Sequence, residues 1–388
     1  MGPLKPELLD DNTLLVTFLR SNPASLSTSF TGGGVGHAKY VVLSRVNGEF
    51  SAAPVELLRL ARSVTSRAGV PPAESVVVFT AAPVSDYVLA ESRNPHTDVS
   101  VLAVVGLSPP ACVEVSRTYE APVVKVGMRS NAGTISVVVG VGHSLTRAAA
   151  LDLLRTVVEA KAAACSDLLL RCESRAVGTV TDNVTLIYQG VSGSCGCAHP
   201  WAGLATEIGH EVAKAVWEAV VGKGMKLLDL DSRLRSVTGL GVEELVEEAM
   251  RAYREAPVPG LSEGEARSRL RKAMLKVLKD PNVWAFLIAA RELDLHGASG
   301  TIPGLSREEF LKDTVKVVAD ELMSLALATY VAGAKALFST YWVERLKTKG
   351  VLRAVKELPM FEDDVVSALI ASALTRLYDE VLGDDDSG

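Results

Sequence analysis

At 388 residues the chain is long enough for two separate cores. Its net charge of −6 provides no basic stripe and excludes a nucleic-acid footprint. Five cysteines, an odd number in a chain of this size, speak against a disulfide framework and for a reducing, cytoplasmic setting.

The opening residues, Met1 to Glu7, lack the charged-then-apolar layout of a secretory signal. From about Leu14 to Val220 short β-branched runs alternate with helical patterns. The runs Tyr40–Val46, Ser75–Thr80, Val99–Val105, Val123–Val126, Thr134–Gly140 and Asn183–Tyr188 predict strands. Pro54–Arg67, Ser144–Cys172 and Gly203–Val221 predict helices, with Leu151, Leu154, Val158 and Ala162 at helical spacing in the second. Strands interleaved with helices predict an α/β domain, with a mixed sheet left open.

Near Gly222 the texture changes. Lys223–Leu240 reads as a charged, glycine-bearing connector, and the pattern beyond it is helical almost to the end. Ser306 and Glu309 form a capping-box pattern that should open a long apolar helix. The apolar run Val315–Phe338 contains Lys316, Asp320, Glu321 and Lys335. Each such charge costs at least ~2.5 kcal/mol in lipid, so a buried helix is expected and no stable membrane span. The expected division is an α/β domain over 1–225 and an all-α domain over 226–388.

Chemistry concentrates at two places. The first runs from Asn131 to Gly209, where small residues and single polar groups meet at element junctions. Asp182 ends the run Gly178-Thr179-Val180-Thr181-Asp182 just before an apolar strand, so its carboxylate should project from a loop. It is the candidate general base or water-orienting group, and a turn or N-cap aspartate is the plainer alternative. Thr181 is the second candidate, as nucleophile or oxyanion donor, with no histidine evident to activate it. Glu159 and Lys161 are two apart on one helix, so one of them should face inward. Asn131 is either a carboxamide donor or a turn residue. Gly32-Gly33-Gly34-Val35-Gly36 lacks the Lys-Ser/Thr ending of a nucleotide loop and fits either close approach to a bulky ligand or a structural turn. Cys195-Gly196-Cys197-Ala198-His199 resembles a metal knuckle, but its cysteines are too close for the usual spacing. Trp201 is a flat surface for stacking or packing.

The second place is in the helical half. Asp320 and Glu321 interrupt an apolar helix, and Glu362-Asp363-Asp364 open another. Ionised carboxylates among apolar residues are costly unless paired or metal-bound, and an oxygen-rich set from two helices suits magnesium.

The motifs Leu26 to Gly36, Asn131-Ala132-Gly133-Thr134, Glu159-Ala160-Lys161, Gly178 to Asp182 and Ala202-Gly203 resemble the adenosylcobinamide amidohydrolase family over roughly residues 12 to 222. The resemblance implies hydrolysis of the amide between a corrinoid propionate and aminopropanol, yielding adenosylcobyric acid. Asp182, Thr181, Glu159 and Asn131 would then be catalytic, with Gly32, Gly33, Gly34, Lys161, Trp201 and Gly203 at the corrinoid, which is substrate rather than cofactor. Residues 241 to 382 are similar to the phosphatidylglycerophosphatase A superfamily, nearest its archaeal α-ribazole-phosphate phosphatase branch. The matching pieces include Asp280-Pro281-Asn282-Val283, Gly300 to Ser306, Ala319-Asp320-Glu321 and Phe361 to Asp364. Where that superfamily has Asp followed by Lys-Pro, this chain has Glu344-Arg345-Leu346-Lys347-Thr348. The resemblance implies a magnesium-dependent phosphatase using Asp320, Glu321, Asp363 and Asp364, and leaves homo-oligomerisation open. Together the halves resemble bifunctional corrinoid-salvage hydrolases with two small-molecule substrates. A corrinoid-binding module with a lapsed site, or a membrane-associated lipid phosphatase, are the competing readings.

Overall fold

The computed structural model describes residues 2–47, 53–92, 94, 96–113, 133–172, 174–191, 198–313 and 316–383. Asn131, Cys195, Cys197 and the expected strand Val123–Val126 lie outside these residues. The chain divides into two compact units, Met1–Leu227 and Leu228–Gly388. The first is mixed α/β and the second is helical.

In the first unit, β1 (Leu4–Asp10), β2 (Thr13–Phe18), β3 (Pro23–Ser27), β4 (Gly34–Gly36) and β5 (Tyr40–Arg45) precede α1 (Pro54–Arg67). Next come β6 (Ser75–Thr80), β7 (Val88–Glu91), β8 (Val99–Val104) and β9 (Pro110–Cys112). The unit continues with β10 (Ser136–Ser144), α2 (Arg147–Asp167), β11 (Ala176–Thr179), β12 (Asn183–Gln189) and α3 (Glu207–Leu227). One sheet has the order β1-β2-β5-β6, a second β4-β3-β12-β10-β8-β7, and β11 pairs with β9. Both larger sheets are mixed: β5 and β6 run parallel, as do β10 and β12, while their other neighbours are antiparallel.

Alternation along the strands sorts the core. Leu14, Val16 and Phe18 of β2, Val41 and Leu43 of β5, and Val76 and Val78 of β6 enter one cluster with Leu102, Val104, Val138 and Ile187 of the second sheet. The intervening Leu15, Val42 and Val77 pack on Ala61 and Val64 of α1. A period of two therefore feeds two buried faces, the sheets meet face to face, and α1 covers the outer face of the smaller sheet. This is why the strands read as continuous apolar runs rather than as half-solvated ones.

The helical unit comprises α4 (Leu230–Thr238), α5 (Val242–Glu255), α6 (Glu263–Val277), α7 (Pro281–Ala298), α8 (Arg307–Leu311), α9 (Ala319–Ala332), α10 (Lys335–Thr348), α11 (Arg353–Lys356) and α12 (Met360–Gly383). Helix α12 is its axis. Val365, Val366, Ala368, Leu369, Ile370, Ala371, Ala373 and Leu374 are all fully buried, and α5, α6, α7, α9 and α10 all pack against it. A helix apolar all round has to be surrounded in this way.

Three expectations are corrected. The supposed connector is mostly helix: α3 continues to Leu227 and α4 begins at Leu230, capped by the Asp229 carboxylate on the Ser232 N–H at 2.8 Å. Lys223 is buried and paired with Asp86, and the other charges border two helices rather than a linker. The apolar run to Phe338 is not one buried helix opened by Ser306. Ser306 and Glu309 do form a capping box, but on the five-residue α8. The run itself is broken at Gly333, whose φ of 72° ends α9. Leu322, Tyr330 and Phe338 are exposed. Finally, Cys112 and Cys172 are joined as a disulfide, leaving Cys165 as a buried free thiol among the described residues. No helix among the described residues is long and apolar enough to cross a membrane.

Candidate functional site

In the α/β unit, the turn between β11 and β12 brings Thr181, Asp182 and Asn183 against the start of β10. The Asp182 carboxylate is fully engaged. One oxygen accepts the Thr179 N–H at 3.0 Å and the Lys161 ammonium; the other accepts the Ile135 N–H at 3.0 Å and the Thr179 hydroxyl. Four donors fill the four lone-pair positions of a carboxylate. The Lys161–Asp182 pair is nearly buried, each side chain being 10% exposed. Gly178 is required above this pair, since a Cβ there would sit 2.1 Å from an Asp182 oxygen and 2.5 Å from the Lys161 ammonium. Burial pushes the Cys165 thiol, one turn beyond Lys161, up to about 12, with the Asp182 charge adding to the effect, so it stays an unreactive thiol.

Beside Asp182 the Thr181 and Thr134 hydroxyls meet at 2.6 Å, and Thr181 also reaches the Gly133 carbonyl at 3.4 Å. Thr134, Thr181, Asp182 and Asn183 line a cavity of about 240 Å³ together with Thr28, Ser29, Phe30, Thr31, Val46, Leu57, Val78, Phe79 and Ala81. No cationic side chain is in that lining. Thr134 and the Thr28–Thr31 wall are the contributors that sequence reasoning did not single out. Their signal is present, as hydroxyl residues immediately beside two glycine motifs.

The remaining candidates of this half separate. Glu159 is half-exposed and faces Arg155 at 3.7 Å, on the other side of α2 from Lys161. The glycine-rich stretch serves its own chain: a Cβ on Gly33 would lie 1.7 Å from the Ser29 carbonyl, and one on Gly32 2.2 Å from that of Ser75. Gly34, with φ of 82°, begins β4 and is exposed. Gly203 is buried against the Asp152 carboxylate. Trp201 is 70% exposed and not in the cavity wall. His199 bridges to Leu145, and its ring meets that of His143 edge-on at 5.3 Å.

In the helical unit, carboxylate oxygens of Asp320, Glu321 and Asp364 lie within 4.8 Å of one another. Asp320 and Glu321 stand in the first turn of α9, and Asp364 just past that of α12. Asp363 is not in this triangle. It faces Lys347 of α10, whose ammonium lies 2.6 Å from Glu344, 3.1 Å from Asp363 and 3.1 Å from Asp364. Burial, with Glu321 and Asp364 beside it, pushes Asp320 up to about 7. Burial also pushes Asp363 up to about 9 in spite of Lys347, with Asp364 adding to the rise. Burial disfavours the Lys347 charge, but Asp363, Glu344 and Asp364 outweigh it and raise the group above an ordinary lysine. Behind this centre Asp294 accepts the Phe361 and Glu362 N–H groups at 2.9 Å each, capping α12 from inside the core, and Arg291 pairs with Glu362 at 3.2 Å. Burial pushes Asp294 up to about 7.

The α/β unit thus holds a hydroxyl-lined cleft backed by one fully engaged carboxylate. The chain belongs to the adenosylcobinamide amidohydrolase (CbiZ) family, whose model matches residues 5–227, more than half of its length. It is also similar to an uncharacterized protein, MJ1330, of Methanocaldococcus jannaschii, with 30% identity over 113 residues that make up 29% of this chain and 86% of the relative. Among solved structures, the low temperature requirement C protein of Listeria monocytogenes aligns at 20% identity and a TM-score of 0.34, over 39% of this chain and 97% of that one. Protein ypjQ of Bacillus subtilis aligns at 17% identity and 0.34, over 42% and 98%. A protein of unknown function from Bacillus stearothermophilus aligns at 20% identity and 0.31, over 37% and 88%.

Proposed function

We propose that the β11–β12 cleft is where this amidohydrolase cleaves the aminopropanol amide of adenosylcobinamide, giving adenosylcobyric acid and free aminopropanol. The observation that carries the reading is the convergence of Thr134, Thr181 and Asp182 on one cavity within the family-matched region. Amide hydrolysis adds water across the C–N bond and needs an oxygen nucleophile, a donor for the developing oxyanion and a proton for the leaving amine. The Thr134–Thr181 pair offers both a nucleophilic oxygen and a rotatable donor. Asp182 takes up a proton only by releasing one of its four donors, and the Thr179 hydroxyl is the one free to rotate away. Lys161 and Gly178 keep that carboxylate in place. The test is anaerobic turnover of adenosylcobinamide by wild type, Thr181→Ala and Asp182→Asn. Full activity in both variants would move the chemistry elsewhere.

A second reading is favoured by the carboxylate triangle of the helical unit. It is a phosphatase for a small phosphomonoester such as α-ribazole phosphate. With bonds near about 2.1 Å, oxygens around octahedral magnesium lie about 3.0 Å apart when adjacent and about 4.2 Å when opposed, so three oxygens already within 4.8 Å of one another need only a small closure to hold the ion. Asp320, Glu321 and Asp364 would hold it, and the bound ion would supply a positive centre for the substrate phosphate. Lys347 orients Asp364 and Asp363 from the opposite side. Phosphate release from α-ribazole phosphate, with and without EDTA, tests this reading.

A further inference from the structure

The amidase cleft is too small for its substrate. Pockets for drug-sized ligands measure roughly 300–1,000 Å³, and a corrin with its peripheral amides is larger still. A cavity of about 240 Å³ therefore takes the amide tail and leaves the macrocycle outside. Something at the mouth must meet the ring.

Phe30 is the side chain in position. It contributes to the cavity wall and is nevertheless 61% exposed. It does not hang on a loose loop. The Ser29 and Thr31 hydroxyls on either side both donate to the Val77 carbonyl at 2.6 Å, and the Val77 N–H donates to the Thr31 carbonyl at 3.0 Å. The tight approaches of Gly32 to Ser75 and of Gly33 to Ser29 close the same turn. A rigid turn thus holds a large aromatic in water at the entrance to the cavity, at the cost of leaving apolar surface unburied. The neighbouring helix adds apolar surface, since Leu57 of α1 also lines the cavity.

We propose that Phe30 is the platform for the corrin macrocycle, stacking or packing on its flat face while the aminopropanol amide enters the cleft. This rests on the cleft being the amidase site. Phe30 then contributes to affinity and not to the bond-breaking step, because ring contacts are the same before and during hydrolysis. The glycine-rich stretch gains its purpose here: it shapes the turn that presents Phe30.

The experiment uses the full chain and compares Phe30→Ala and Phe30→Trp with wild type on adenosylcobinamide, with adenosylcobyric acid as competing product. An exposed side chain can be truncated without loss of the core, and thermal unfolding checks this. For Phe30→Ala the expected result is a rise in KM of about tenfold or more, an equal rise in the inhibition constant of adenosylcobyric acid, and kcat within about twofold. Phe30→Trp should restore both affinities. A fall in kcat at unchanged KM, or no change in any constant, overturns the platform. Asp182→Asn is run in parallel: if it retains the wild-type rate, the cleft assignment fails, independently of what Phe30 does.

Discussion

The two units treat buried carboxylates in opposite ways. Asp182 stands alone among donors, with an ammonium, a hydroxyl and two N–H groups on its two oxygens. The helical unit gathers Asp320, Glu321, Glu344, Asp363 and Asp364, and one lysine, Lys347, stands among them. The first arrangement is electrically complete without any addition. The second carries surplus negative charge in a partly buried place, which is stable only when protons or cations join it. A carboxylate satisfied by its own chain needs no further ligand. A set with surplus charge is what the proposed phosphatase would use as a receptor for a cation.

The sharpest way to break this contrast is at the surplus. Asp320→Asn or Asp364→Asn should abolish phosphate release from α-ribazole phosphate and leave amidase turnover unchanged. Retention of phosphate release after exhaustive chelation would dismiss the receptor. The counterpart in the first unit is Asp182→Asn, which should lower amidase turnover about a hundredfold or more, measured under anaerobic conditions. Next in size is Lys161→Met. Breaking a buried pair strands the remaining charge and costs about 3–5 kcal/mol, read as a lower urea midpoint of the α/β unit. Protonation supplies a further test. Asp320 near 7 must lose its proton before it can hold a cation, so magnesium affinity should fall between about pH 8 and about pH 6 in a calorimetric titration.

The last test concerns how stability depends on pH. Asp294 is raised in the folded state, so the stability it confers is complete below the unfolded aspartate value near 4. It is lost as pH rises towards about 7 and is level beyond. Asp294→Asn should flatten the dependence of the helical unit's unfolding on pH within that window. An unchanged slope would assign the dependence to another group.

Much of this was legible in residue order, and the misses have physical causes. Ser75–Thr80 and Pro54–Arg67 coincide with β6 and α1, because a β-branched run and a Pro-led amphipathic stretch each satisfy only one periodicity. The hairpin of β1 and β2 escaped, since Lys5, Pro6, Glu7 and Asp10 make β1 polar for a strand; it is a sheet edge with most of its length exposed. The Lys223–Leu240 stretch was misjudged because a solvated helix face and a linker share a composition. At the cleft, sequence singled out Lys161, Thr181 and Asp182 but not Thr134 or Phe30. The place of Thr134 depends on a parallel register, with Ser136 opposite Asn183, that pairs segments some 47 residues apart, and that of Phe30 on the bridge between Thr31 and Val77. Nothing local in the sequence announces such a register.

Helix α12 has a consequence for the order of events during synthesis. Every other helix of its unit precedes it in the chain, yet α5, α6, α7, α9 and α10 all use it as their common wall. While a ribosome is still translating residues 230–360, those helices have no shared partner, and their apolar faces stay open to chaperones or to one another. The α/β unit has all its sheets and helices by Leu227, well before α12 is made. One polypeptide thus carries an early-folding half and a half that closes only when its last long helix arrives, bringing Asp364 with it.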